Sequence, residues 1–208
     1  MFLSDKDIKK AIEEGEIIIS DFTEDRLQPA SYDILLGNKF IINDSHNSTF
    51  IDPVNKIYPE GREIEVAEDG SFVLHPGISI LGYSRDFFGS DHYMVEVNGK
   101  SSLARIGLLV HNSASLVNPG HFLNIALELC NLNNVPIILR PGMPIGQLTF
   151  TKLTSPVNTN YKKSGRYAKN NLKGFVPPKE EKNKITKKTV KKGQFLKKSQ
   201  RTVLRNKK

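Results

Sequence analysis

Short apolar runs broken at close intervals by Gly, Pro and Asn constrain this chain more than any other feature. Residues 16–20, 30–36 and 39–42 are rich in β-branched or large apolar side chains, and Gly37-Asn38 separates the last two runs. Similar runs follow at 71–74, 78–83, 94–97, 123–129, 135–139 and 145–150. Runs this short, bounded by turn residues, read as strands. Pro136 inside one of them predicts an edge position or a strand start. One helix is expected, over 4–14. Ser4 with Asp7 approximates a capping box, Ile8 and Ile12 share a face, and Gly15 ends it. No internal repeat is evident. A mainly β chain with a short N-terminal helix points to a sandwich or a barrel.

Charge divides the chain into two parts. Residues 179–208 carry 13 Lys/Arg against Glu180 and Glu181, a net of +11, which leaves 17 basic and 20 acidic groups, a net of −3, in residues 1–178. Pro177-Pro178 is the expected end of the domain. Beyond it, Lys-Lys pairs recur with too few apolar residues to offset the entropy of ordering, so a disordered basic tail is expected. Such a tail is most simply a solvated extension, although its cations suit a salt-dependent, non-specific nucleic-acid contact. The hydrophobic share of 38% is slightly low, as a tail outside the core would make it. No run of about 18 apolar residues occurs, so no membrane span is expected. The N-terminus lacks a secretory signal pattern. Cys130 is the single cysteine, which leaves no internal disulfide and no multi-cysteine zinc site. A soluble cytoplasmic protein is the expectation.

Two segments carry candidate chemistry. In 99–105, Gly99 permits close backbone approach, and Ser101 and Ser102 stand beside the cations Lys100 and Arg105, a combination suited to phosphate oxygens. The plainer alternative is a helix start capped by one of the serines, and local chemistry alone favours it. Glu128 lies within the apolar run 125–130, which reads as a buried strand. A carboxylate there is either paired or driven toward its protonated form, and such carboxylates suit proton transfer. Simple alternation, with Glu128 on the solvent face, is the alternative. Phe72, Phe87 and Phe88 are expected core residues.

Six blocks in order carry a resemblance: 28–37 (QPASYDILLG), 74–77 (LHPG), 99–107 (GKSSLARIG), 117–120 (VNPG), 127–128 (LE) and 140–148 (RPGMPIGQL). Together they resemble the deoxycytidine triphosphate deaminases, within the deoxyuridine triphosphatase-like group, over Leu3 to about Tyr167. The resemblance implies a distorted jelly-roll (β-clip) subunit, a homotrimer and active sites shared between subunits. It implies that Glu128 is the catalytic glutamate, taking a proton from the water that attacks the amino-bearing ring carbon. Lys100, Ser101, Ser102 and Arg105 match the phosphate-binding motif. Asn118 matches the sugar contact, Ala126 a backbone contact to the base, and Tyr161 a pocket tyrosine. Arg166 and Asn170 match the family's C-terminal Lys-Tyr-x-x-Gln. Magnesium is expected to travel with the triphosphate and not in a protein cage. Zinc deaminases need a Pro-Cys-x-x-Cys element, which one cysteine cannot supply.

Three positions depart from the family pattern. Lys100 stands where many members have Arg, keeping the charge and losing the bidentate fork. Asn118 replaces an Asp; its amide still accepts a hydrogen bond but activates no water. Asn170 is one carbon shorter than the family's Gln. His111 precedes the loop 112–115, which in the family lies against the glutamate; a structural role is the simpler one. The expected reaction is zinc-independent deamination of dCTP to dUTP and ammonia. The alternatives are a dUTP pyrophosphohydrolase, a bifunctional enzyme releasing dUMP, and a catalytically inactive protein that binds nucleic acid or a partner through the tail.

Overall fold

The computed structural model describes residues 1–44, 50–55 and 57–165. The tail, the boundary at Pro177-Pro178, Arg166 and Asn170 lie outside the described residues.

The N-terminal helix α1 spans Asp5–Glu13, with Ser4 as its cap. The Ser4 hydroxyl accepts from the Asp7 amide at 3.4 Å and donates to Asp7 Oδ2 at 2.9 Å. Asp therefore closes on the cap's hydroxyl instead of on its backbone N–H, because its side chain is shorter than the Glu of a full capping box. Ile8 and Ala11 are buried beneath the helix.

The strands are β1 Ile17–Ile19, β2 Leu27–Gln28, β3 Ser31–Asp44, β4 Glu60–Glu65, β5 Phe72–Leu74, β6 Ser79–Ser90 and β7 Tyr93–Gly99. A single helical turn, α2 Ser101–Ala104, leads to β8 Leu108–Leu109, β9 Leu116–Val117, β10 Leu123–Asn131, β11 Ile137–Leu139 and β12 Pro144–Lys152, and α3 Tyr161–Ser164 follows. The main sheet runs β8-β10-β6-β3-β12-β7-β9, with β1 on β6 and with β2 and β4 on β3; every pairing is antiparallel. Among the described residues β11 pairs only with β5, and Pro136 directly precedes it, as the proline predicted.

Sequence and structure differ most at β3. The expected turn at Gly37-Asn38 is instead a bulge inside one 14-residue strand. Before it, residues 32–35 pair with β12 and Leu36 meets Ser84 of β6; after it, β3 pairs with β6 and β4. A Cβ on Gly37 would sit 3.0 Å from the Tyr83 carbonyl oxygen. Glycine thus lets the strand bend from one half of the curled sheet into the other, as bulges do at barrel corners. β4 escaped the sequence reading because its residues are mostly charged and exposed.

Alternate residues of β3, Tyr32, Ile34 and Leu36, point into the core with Phe40, Phe88, Leu127, Leu129, Leu148 and Phe150. Phe72 and Phe87 are half-buried around it. A buried ion pair crosses this core. Arg26 Nη1 lies 2.7 Å from Asp86 Oδ1, and the Arg26 guanidinium covers the Tyr32 ring. Asp86 Oδ2 accepts from the Leu35 amide at 2.8 Å, tying β6 to β3 beside the bulge. Among the described residues, no helix is long and apolar enough to cross a membrane.

Candidate active site

Three of the six blocks converge on an open pocket of about 430 Å³, lined by Gln28, Pro29, Ala30, Ser31, Asp33, Lys100, Ser101, Ser102 and Gln147. The β7–β12 ladder brings Gly99 opposite Gly146, and the β3–β12 ladder brings Asp33 opposite Gln147. Ser31 Oγ donates to Gln147 Oε1 at 2.9 Å, and Gln147 Nε2 donates to the Gly99 carbonyl at 3.1 Å. Polar side chains thus fix the floor before α2 begins. Ser101 and Ser102 are exposed in the first turn, and the N-cap is Lys100, with no side-chain cap bond. The serine-capped helix start is therefore not what forms here. Arg105 closes the turn on its exposed side.

Lys100 is not held for an anion alone. Its Nζ lies 2.5 Å from Asp33 Oδ2, while Asp33 Oδ1 is buried with no hydrogen-bond partner among the described residues. The pair is close to neutral, so an anion here would depend on the serine hydroxyls, on backbone amides and on Arg105. Asp33 was missed in the sequence reading, although the signal that singles out Glu128, an acid within an apolar run, is present in 30–36.

Glu128 lies on β10, where Leu127, Leu129 and Asn131 are buried while Ala126, Glu128 and Cys130 are half-buried. The strand alternates, and the fully buried run expected from its apolar neighbours does not occur. Glu128 pairs across to Leu81, and Ala126 to Tyr83. Cross-strand partners share a face, so Glu128, Ala126, Leu81 and Tyr83 line one surface. Burial, with Glu63 adding to it, raises the Tyr83 phenol above the ordinary tyrosine range. Glu128 Oε2 accepts from the Asn112 amide at 3.3 Å, which brings the 112–115 loop against the carboxylate. Next to it, His111 is half-buried, and its Nδ1 is buried with no hydrogen-bond partner among the described residues. A register shift between Asn124 and Ala126 sets where this face begins. Ser84 Oγ accepts from the Ile125 amide at 2.8 Å, and Asn124 Nδ2 donates to the Arg85 carbonyl at 2.8 Å.

The third cluster forms around 118–122. The His121 amide donates to the Asn118 carbonyl at 3.0 Å, with Pro119 and Gly120 (φ +85°) between them. Pro at the second position and a positive-φ Gly at the third make a type II turn. Asn118 is exposed on it. Tyr161 opens α3; its amide donates to the Pro119 carbonyl at 3.1 Å, and its ring stacks on His121 with centroids 4.0 Å apart and planes at 15°. The sequence reading passed over His121, because a histidine after Pro-Gly carries no signal of a distant aromatic partner. Among the described residues, the pocket lining includes neither Glu128 nor Asn118, Ala126 or Tyr161.

Burial lowers His121 to about 4, from 6.5 for a free imidazole. The folded chain therefore takes up this proton only near pH 4, and the unfolded chain already near 6.5. The contribution is fully present above pH 6.5 and is lost as the pH falls toward 4. We expect the urea midpoint to drop across that window, and His121→Phe, which cannot titrate, to flatten part of the slope. An unchanged slope in that variant would remove His121 from the acid response.

The dCTP deaminase-like family profile matches residues 2–153. A relative from Dictyoglomus thermophilum named "dCTP deaminase, dUMP-forming" is 42% identical over 178 residues, covering 84% of this chain and 92% of its own length. A Tropheryma whipplei protein of the same name is 44% identical over 162 residues, covering 77% of this chain and 83% of its own. Among solved structures, the 2'-deoxycytidine 5'-triphosphate deaminase from Agrobacterium tumefaciens superposes with a TM-score of 0.54 at 21% identity. That match covers 72% of this chain and 47% of the other, so the chain spans about half the length of that protein, and the likeness speaks for the fold.

Proposed function

The chain belongs to the dCTP deaminase-like family, and we propose that it acts as a cytoplasmic enzyme hydrolysing the amino group of dCTP. The family match over residues 2–153 carries this reading, and the placement of Glu128 supports it. In the proposed step, Glu128 takes a proton from a water attacking the amino-bearing ring carbon. The same carboxyl then returns a proton to the departing nitrogen, so dCTP and water give dUTP and ammonia. The Asn112 amide on Oε2 holds the carboxylate toward the 112–115 loop. Water activation by protein groups alone is part of the proposal, supported by the single cysteine. Magnesium enters as part of the Mg–triphosphate substrate. Ser101, Ser102 and Arg105 take the phosphates, with Lys100 held beside them by Asp33. Asn118 takes the sugar hydroxyl, the Ala126 backbone the base, and Tyr161 the pocket wall.

A second reading concerns the product. The two relatives named above are dUMP-forming, which favours a further hydrolysis of dUTP to dUMP and pyrophosphate. Asn118 stands against it, since an amide cannot serve as the base for that water. Incubation with dCTP, with ammonia and pyrophosphate measured separately, decides between them. Ammonia alone supports the first reading, equal amounts of both support the second, and neither product would overturn the enzyme.

Assembly follows from the same reading. The phosphate-type pocket and the Glu128 face do not share one lining, and sites completed between subunits would unite them. We expect a homotrimer by light scattering at working concentration. A fully active monomer would refute shared sites.

A further inference from the structure

Polar and ring contacts fasten the segment 160–165 to the body, among them Lys162 Nζ over the Phe122 ring at 4.8 Å. Asn160 Nδ2 donates to Asp91 Oδ1 at 3.0 Å, and Lys162 Nζ donates to Asp91 Oδ2 at 2.7 Å. Burial alone would raise Asp91, but Lys162 and Asn160 outweigh it and hold the carboxyl below its ordinary value. The Tyr161 amide holds the Pro119 carbonyl, and its ring lies flat on His121. The seat itself is shaped for this. A Cβ on Gly120 would fall 1.8 Å from Asn160 Oδ1, and a Cβ on Gly89 would fall 2.5 Å from the His121 carbonyl oxygen. Two glycines thus let the turn press against β6 on one side and receive the segment on the other.

The contacts of Asn160, Lys162 and the Tyr161 amide fix the backbone and the ends of the segment, whereas the His121 stack acts on the Tyr161 ring itself and ties its plane to the turn. We propose that His121 is a positioning residue that locks Tyr161 to the 118–121 turn, so that Asn118 and Tyr161 meet the nucleotide as one rigid unit. The inference rests on the reading of Asn118 and Tyr161 as nucleotide contacts. An imidazole suits the task because it offers a flat face and, stacked and neutral, places no charge beside a base.

Full-length His121→Ala, His121→Phe and Tyr161→Ala are compared with the parent chain. His121→Ala should raise KM for dCTP about three- to tenfold, the loss expected of one aromatic stack, with kcat within about twofold. Trypsin cleavage after Lys162 and Lys163, followed by mass spectrometry, should quicken by about the same factor as the segment opens more often. His121→Phe keeps a flat ring and should restore both values. A parental KM in His121→Ala, or a defect that Phe does not repair, would overturn the proposal. A Tyr161→Ala enzyme with parental KM removes Tyr161 from the nucleotide site and overturns the proposal with it, leaving the deaminase reading intact. If even the parent chain releases no ammonia, that reading fails, and the cleavage rates alone decide whether His121 holds the segment.

Discussion

Glu128→Gln should leave a folded, nucleotide-binding protein that releases ammonia about 10²–10⁴-fold more slowly, the usual cost of losing a positioned proton carrier. Glutamine matches glutamate in size, and its carbonyl oxygen can still accept from the Asn112 amide. The 112–115 loop therefore keeps its contact, and the strand keeps its pairing to Leu81. What disappears is the capacity to take a proton from water and deliver it to nitrogen. Circular dichroism should be unchanged, and calorimetry should show dCTP binding of near-parental affinity. Turnover close to that of the parent chain would eliminate Glu128 as the proton carrier. Loss of binding together with turnover would mean that the charge holds the site together instead of driving the chemistry.

What the sequence could and could not show follows from how far apart the interacting residues are along the chain. The N-terminal helix was legible because its cap, its apolar face and its terminating glycine all lie within residues 4–15. The β character was legible for the same reason, run by run. Gly37 was misjudged because whether a glycine makes a turn or a bulge depends on what it meets, and it meets the Tyr83 carbonyl, 46 residues along the chain. β4 was invisible because an exposed charged strand has no apolar period to read. At the site, Glu128 was found by its local oddity and by resemblance. Its alternation on β10 could not be separated from full burial until the Leu127 and Leu129 face was seen against the core. Asp33 and His121 act through partners 67 and 40 residues away, Lys100 and Tyr161; the apolar run marks Asp33 as unusual, but nothing local names either partner.

Asp86→Ala should be strongly destabilising, costing about 3–5 kcal/mol. Both partners of the Arg26–Asp86 pair are nearly inaccessible, with side-chain exposures of 10% and 2%. Truncating the acid strands the guanidinium, whose remaining bonds are to Thr23 Oγ1 and the Asp21 carbonyl. It also frees the Leu35 amide that Asp86 Oδ2 receives, so a part-buried donor is orphaned beside the β3 bulge. The damage should reach the site. Ser84 Oγ donates to the Asp86 carbonyl at 2.8 Å and accepts from Ile125, and that second bond fixes the bulge from which the Ala126–Glu128 face begins. The cost is that of breaking the pair and not of lacking it, since an apolar replacement of both members is often neutral. Arg26→Met with Asp86→Leu should therefore recover much of the stability lost by Asp86→Ala. Urea unfolding at one fixed protein concentration, which holds the mass-action contribution of assembly constant, measures all three chains. If the double variant proves less stable than Asp86→Ala, the pair contributes net stability beyond its own desolvation. If Asp86→Ala unfolds within about 1 kcal/mol of the parent chain, a cost usual for an exposed pair, the buried network does not hold β3 to β6.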